Sequence, residues 1–520
     1  MLAGVVLSCA LVSGGWLVKR GLVGTTTSRG DTARMFGQVF QRISRDYVDT
    51  LSDSVLYSRA AEGLVGELQD PHSAYLSPKI LARLSERTSG RYAGVGAQID
   101  VRDGWITVVA PLPGGPALAA GIRTGDRITK VEGKPIHELT VEEAQKLLRG
   151  EPGSIVHVTI ERPGTPVPLE FTLTRKEIRV RSVQHATLLD GGIGYVALSI
   201  FSQQSATDLQ DAIDSLKAAG MKSLIFDLRS DPGGLLDQGV AVSDLFLDPG
   251  QSIVTMKGRT PDANRSFADR SPQPWPSLPV AVLVDSNSAS ASEIVAGALQ
   301  DHDRAVLLGS PTYGKGSAQN VFPVTGGGAV KLTTALWYTP SGRSINRKRI
   351  DGEEPPPDST QDRPEYKTDA GRTVLGGGGI TPDIIFPSAS VGMADSLFVF
   401  TLGKQFPKFS DALTDYALSL KASGEIRSPD FVVTPEMRTE LFRRMQSRGI
   451  MIDSSTFARA SALIDRALGY EIARYVFGGE AEFVRRLRND DGVARTARLL
   501  SGITSRKELF DRAAAERRTR

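Results

Sequence analysis

PVAVLVDSNSASASEIVAGALQ, from Pro279 to Gln300, joins an apolar run to a helix-period run through three alternating serines. Valine-rich Pro279 to Asp285 predicts a buried strand, and Ile294, Val295, Ala298 and Leu299 recur at the spacing of one helix face. A strand passing into a helix is the repeating unit of an α/β sheet. Ser288, Ser290 and Ser292 fall at the junction. The plain reading of Ser290 is a helix N-cap, because Ser290-x-x-Glu293 spells a capping box. Whether a serine there also does chemistry depends on what surrounds it.

Outward from this stretch the alternation continues. Upstream come the strand GGIGYVALSIF, the helix ATDLQDAIDSLKAAG and the buried strand SLIFDLRS. The chain then turns through DPGG (Asp231 to Gly234) into the helical LLDQGVAVSDLFL and the loop GRTPDANRSFADRSPQPWP. Downstream follow the strand RAVLLGS and the loop PTYGKGSAQ, so residues 185–390 make one α/β domain. Within it, 347–378 carries EEPPPDSTQDRPEY and reads as an inserted polar loop. Residues 391–520 are mainly helical and end in a basic RKELFDRAAAERRTR, expected to fray.

On the N-terminal side, 31–88 is helical and contains the turn DPHSAYLSP (Asp70 to Pro78), where His72 reads as a local hydrogen-bonding residue. Residues 90–178 are compact and strand-rich. Thr140 and Glu143 make a capping box there, Ala144, Leu147 and Leu148 form the buried stripe of one short helix, and Gly121, Gly125 and Gly133 punctuate strands.

The chain has 520 residues, enough for about three or four domains. A net charge of +3 supplies no bulk field to recruit nucleic acid. The only cysteine, Cys9, lies in the uncharged run Leu2 to Val18, so residues 1–24 read as a signal peptide or membrane anchor. No Lys or Arg precedes that run, whereas Lys19 and Arg20 follow it, and VLSC (Val6 to Cys9) only faintly suggests a lipoprotein site. A cysteine-free remainder excludes disulfides, thiol catalysis and cysteine-ligated metal.

Three chemistries compete for the serine helix and the loop after it. Gly309-SPTY-Gly314-Lys315 begins like a phosphate-binding loop, but Gly316 stands where a magnesium-binding Ser or Thr is required, and a strand follows instead of a helix. His302, flanked by Asp301 and Asp303, lies twelve residues beyond Ser290 on the same helix. At about 1.5 Å per residue it is roughly 18 Å away, so it forms no triad with Ser290. Lys315 remains. To act as a base its amine must be neutral near pH 7, which costs roughly 4 kcal/mol of disfavoured charging. Gly314 and Gly316 allow a tight loop in which such burial is feasible, and Gln319 could then accept from or donate to the lysine and hold its amine in line.

The run SNSASASEIVAGALQDHDRAVLLGSPTYGKGSAQ resembles the signature of the carboxyl-terminal processing (tail-specific) serine proteases. DPHSAYLSP, DLRSDPGG, TPSGRSI and GGITPDI match in order, so the resemblance covers Phe36 to Pro387. Tyr92 to Ile178 is similar to a circularly permuted PDZ domain, with AAGIRTGDRITKVEGKPI as its central run. Two departures stand out, the insertion before GGITPDI and a C-terminal region that does not align.

The resemblance implies a multidomain α/β and β protein: an α/β core of the ClpP/crotonase type, a PDZ domain, and helical N- and C-terminal regions. It implies Ser290 as nucleophile, Lys315 as base, 25 residues on, and Gln319 as the residue that orients it. The Ala291 amide, at a helix N-terminus, and Gly233 or Gly234 would face the oxyanion. The amides of Ala93, Gly94, Val95 and Gly96 would bind the carboxylate of a substrate tail. Arg149, at the end of the capped helix, would couple PDZ position to the protease domain. The expected activity is that of an exported serine endopeptidase cutting proteins with free C-terminal tails, with no metal, cofactor or nucleic acid. It would be periplasmic, or anchored to the inner membrane through its N-terminal segment alone, with an adaptor or a homo-oligomer as further partners. The alternative is a catalytically silent PDZ adaptor presenting tails to another protease.

Overall fold

A computed structural model describes residues 29–162, 165–347, 363–386 and 392–518. The expected leader (1–24) and most of the first half of the polar insertion (348–362) lie outside the described residues. The described residues divide into two compact units, one made of those within 1–81 and 319–333 and the other of those within 82–318 and 334–520.

In the smaller unit, helices Arg29–Asp46 and Asp53–Gly66 meet through Phe40 stacked on Tyr57 at 4.1 Å. The DPHSAYLSP turn makes local hydrogen bonds as its composition predicts. The Asp70 carboxylate accepts from the His72 amide (3.0 Å) and the Ser73 hydroxyl (2.6 Å). Its second half is strand: Ala74–Leu76 runs antiparallel to Ala329–Lys331.

The larger unit is built on a six-stranded sheet ordered 186–189, 193–197, 223–227, 280–284, 306–309 and 384–385. All neighbours are parallel except the first pair. Strands Ser223–Asp227 and Val280–Val284 are buried at every residue, including the polar ends of the first, Ser223 and Asp227. The helices Ser205–Ala218, Leu236–Asp244 and Ala291–Asp301 pack into one apolar core with the sheet, and the last is buried along its whole length. The expected loop 258–276 holds an edge strand, Arg265–Ala268, paired with Ser252–Gly258.

The other face of the sheet corrects the reading of the C-terminus. Ile193, Ile225, Leu283 and Val306 pack against Val493, Leu499, Leu509 and Ala513. The terminal helix Arg506–Arg518 is therefore seated and not frayed, with Leu509 and Ala513 buried and Arg517 reaching Asp383 at 2.5 Å. A parallel sheet needs both faces covered, and this helix covers part of the second.

The described part of the polar insertion is a hairpin, Glu365–Lys367 with Thr373–Leu375. The DHD motif pins it and its surroundings. Asp301 pairs with fully buried Arg343, and His302 bridges the Ser252 carbonyl and Asp369, both at 2.7 Å. Asp303 binds Arg372. The role of His302 is structural.

The strand-rich segment forms a sheet ordered 97–102, 105–111, 127–131, 155–161, 169–174 around Ile106, Val108 and Ile160. Its helix Val141–Leu148 carries both halves of the Thr140–Glu143 box. Ala144 and Leu148 are buried but Leu147 is 41% exposed, so a single i, i+4 pair seats this two-turn helix. Helices from Met393 to Phe477 build a separate apolar core around Phe398, Leu441 and Leu468.

Because the Leu509 side chain fills a closed layer against the sheet, Leu509→Ala should cost about 2–4 kcal/mol. Urea unfolding should register this as a lower midpoint at unchanged slope.

Candidate active site

Ser290 occupies the turn between strand Val280–Val284 and helix Ala291–Asp301, with φ 57° and ψ −113°. A side chain other than glycine is strained there, and surrounding contacts must hold it. The flanking serines supply them. Ser288 Oγ donates to the Leu228 carbonyl (2.8 Å) and accepts from the Asp285 amide (2.9 Å). Ser292 Oγ donates to the Asp231 carbonyl (2.9 Å). Both are fully buried, while Ser290 is partly exposed. The outer serines thus bind the turn to the loop that follows strand Ser223–Asp227, and the middle one points outward.

Ser290 makes no side-chain cap bond; Glu293 holds the other half of the box, its Oε2 accepting from the Ser290 amide at 2.8 Å. The same oxygen accepts from the Lys315 amide at 2.9 Å, while Oε1 accepts from the Gly314 amide (2.7 Å) and the Thr312 hydroxyl (2.5 Å). The backbone nitrogens of Ser290 and Lys315 therefore lie within two hydrogen-bond lengths of each other. Burial pushes the Glu293 carboxyl up, against the pull of these four donors.

The lysine loop needs its glycines. Gly314 has φ 90°, and a Cβ on Gly316 would lie 2.8 Å from the Asn346 amide nitrogen. The Lys315 side chain is half-buried, and its carbonyl accepts from the Trp337 indole at 3.1 Å. The segment after it is the strand Ser317–Pro323, as the exclusion of a phosphate loop requires. Gln319 lies in the smaller unit, where its amide donates to the Thr333 hydroxyl at 3.2 Å. The Thr333 amide in turn donates to Ser73 (3.0 Å), so the DPHS turn fixes the partner of Gln319. No local pattern in the sequence announces that link.

Gly233 sits against the Ser290 turn: a Cβ there would lie 2.5 Å from the Ala289 carbonyl and 2.8 Å from the Ala291 amide nitrogen. Its φ is 86°. Its own N–H, however, donates to Asp231 Oδ1 at 2.8 Å, so it is committed and not turned toward a substrate. This corrects the expectation for Gly233 and leaves Ala291 and Gly234 as the candidate donors. Asp231, the turn residue before Pro232, is fully buried.

Gly94, Val95 and Gly96 line one end of a cavity of about 610 Å³, with Ile99 and Leu148 on its apolar wall. Ala93 and Gly94 belong to a strand paired with Lys176–Arg179. Arg149 lines the same cavity, lies over the Tyr92 ring at 5.1 Å and pairs with Glu86. It thus reaches the helix Pro78–Ser89 and not residues 185–390, because the helix end that carries it faces Glu86.

The chain matches the model of peptidase family S41 over residues 192–355 and that of PDZ domains over 107–162. It is 38% identical over 350 residues to a carboxy-terminal-processing protease of Bartonella bacilliformis, covering 66% of this chain and 78% of that protein. It is 35% identical to the carboxy-terminal processing protease CtpA of Bacillus subtilis, covering 62% and 69%. A probable CtpA-like serine protease of Staphylococcus aureus matches at 34%, covering 64% and 65%.

Glu293→Gln tests the shared carboxylate. An amide nitrogen would face two N–H donors or the Thr312–Gly314 pair, orphaning buried donors at a cost of roughly 2–4 kcal/mol. Thermal unfolding should show that loss, and peptide hydrolysis should fall about tenfold or more as the Ser290 and Lys315 segments part.

Proposed function

The chain belongs to the carboxy-terminal processing proteases, serine peptidases that carry a PDZ domain, and we propose that Ser290 is its nucleophile and Lys315 its general base. The observation that carries this reading is the single Glu293 oxygen shared by the backbone amides of both residues. The neutral Lys315 amine takes the Ser290 hydroxyl proton as Oγ attacks the scissile carbonyl. The Ala291 amide, at the positive end of its helix, and Gly234 receive the oxyanion. The lysine returns the proton to the leaving amine, and water then releases the acyl group by the reverse sequence. The family resemblance gives Gln319 the orienting role toward that amine.

Protein substrates enter by their tails. Gly94 to Gly96 bind the terminal carboxylate through backbone amides, and Val95, Ile99 and Leu148 favour an apolar last side chain. The uncharged run in residues 1–24 supports export, to a periplasm-facing site that is either soluble or held by that segment. A silent adaptor is the rival, and labelling of Ser290 by a serine-directed phosphonate separates the two.

Ser290→Ala, Lys315→Ala and the double variant should lose similar activity, since members of a catalytic unit are not additive. Lys315→Arg should fail too, because a guanidinium stays charged. Substantial turnover in Lys315→Ala would refute the base assignment. A substrate with a free apolar C-terminus should be cut faster than its amidated form, in a competition assay with both tails. Glu86→Ala and Arg149→Ala should each slow long substrates while leaving tail-peptide affinity nearly intact, if the pair sets PDZ placement.

A further inference from the structure

Asp231 ends the DLRSD run and has no part in the chemistry above. Its side chain is fully buried beside the nucleophile turn. Its backbone carbonyl accepts from the Ala289 amide (3.0 Å) and from Ser292 Oγ (2.9 Å), the residues on either side of the Ser290–Ala291 pair. Its Oδ1 accepts from the Gly233 N–H at 2.8 Å. Its Oδ2 is buried with no hydrogen-bond partner among the described residues. One residue thus grips the nucleophile turn by its main chain and the glycine loop by its side chain.

We propose that Asp231 is a positioning residue of this protease: its ionised carboxylate, holding the Gly233 N–H, sets the Gly233–Gly234 peptide in register with Ser290. The inference rests on Ser290 being the nucleophile. A charged acceptor holds an N–H about twice as strongly as a neutral one. A proton on the carboxyl would weaken that hold on the Gly233 N–H. The loop would then be free to turn, and the register with Ser290 would be lost.

The environment puts this transition in a working range. Burial pushes the carboxyl from its ordinary 3.8 up to about 7. The Gly233 amide, the Ser292 hydroxyl and the charge of Arg87, on the helix Pro78–Ser89, pull the other way. Since the folded state holds the proton more tightly than the unfolded chain, the stability this group lends is complete below about pH 4. It is lost as pH rises to about 7. Turnover has the opposite trend, because the ionised form is the one that grips Gly233. Asp231 therefore trades stability for register as pH rises.

The experiment measures kcat and KM for a peptide with a free apolar tail across this pH window, alongside thermal unfolding. Wild-type kcat should climb through about pH 7. Asp231→Asn keeps the shape with a neutral acceptor, so its kcat should be flat across the window and roughly tenfold below the wild-type upper plateau, at unchanged KM. Its melting temperature at pH 8 should exceed wild type, as for any buried carboxyl with a raised pKa, so the flat kcat profile is the readout that a merely structural aspartate would not give. Should that variant not fold, Arg87→Gln leaves the carboxyl in place and should move the wild-type limb to higher pH. A limb that persists in Asp231→Asn, or stays put in Arg87→Gln, overturns the proposal and assigns the titration to the Lys315 amine. Failure of the nucleophile reading would look different: the wild-type enzyme would not be labelled at Ser290 by a phosphonate probe.

Discussion

One buried carboxylate ties the Ser290 turn to the Lys315 loop. Glu293 sits in the first turn of a helix with no exposed surface, where an ionised group is tolerated only if its oxygens are fully hydrogen-bonded. Four donors meet it, from Ser290, Thr312, Gly314 and Lys315. To bring three backbone amides onto two oxygens the lysine loop must fold tightly. That is why Gly314 takes φ 90° and why Gly316 lies against Asn346. The strained Ser290 backbone survives because this carboxylate and the buried hydroxyls of Ser288 and Ser292 fix it from three directions.

Patterns with a short sequence range were legible. The apolar runs at 223–227 and 280–284, the helix between strands, and the Thr140–Glu143 box all follow from local spacing. Ser290-x-x-Glu293 does more than close the start of a helix. A capping box predicts the bond to the Ser290 amide but not the three donors contributed from nineteen to twenty-two residues downstream. The same limit hid the Asp231 side chain folding back onto Gly233, since D-P-G-G reads equally well as a plain turn. The terminal helix misled by its charge. Its arginines are conspicuous, yet Leu509 and Ala513, four apart, are what seat it.

The C-terminal region that would not align turns out to support the loop carrying Asp231. Asp490 caps its helix through the Val493 amide (2.9 Å) and receives Arg229 at 2.9 Å. Arg229 also binds Asp227, which accepts from the buried Tyr195 hydroxyl at 2.7 Å. Burial disfavours charge on Arg229, but the two carboxylates outweigh it and hold the guanidinium firmly protonated. DLRSDPGG therefore leaves the sheet over a fixed ionic base, two residues before the carboxyl that grips Gly233.

The same helical region touches the PDZ domain by a different kind of contact. Against the sheet its helices merge into one continuous apolar core. Against the PDZ, the two cores stay separate, and the joints are Arg448 with Asp103, the Asp103 amide with Asp411 (3.2 Å), Lys421 with the Thr124 carbonyl (3.1 Å), and Leu418 beside Gly125. Polar joints of this exposure are each worth about 1 kcal/mol or less, whereas each apolar side chain in the other seam contributes about 1.5–3. The seam at the PDZ is thus the weaker of the two by a wide margin. The cavity between Gly96 and Leu148 therefore belongs to a domain joined to the helical region mostly by polar contacts, while Ser290 and Lys315 follow strands of a sheet closed on both faces.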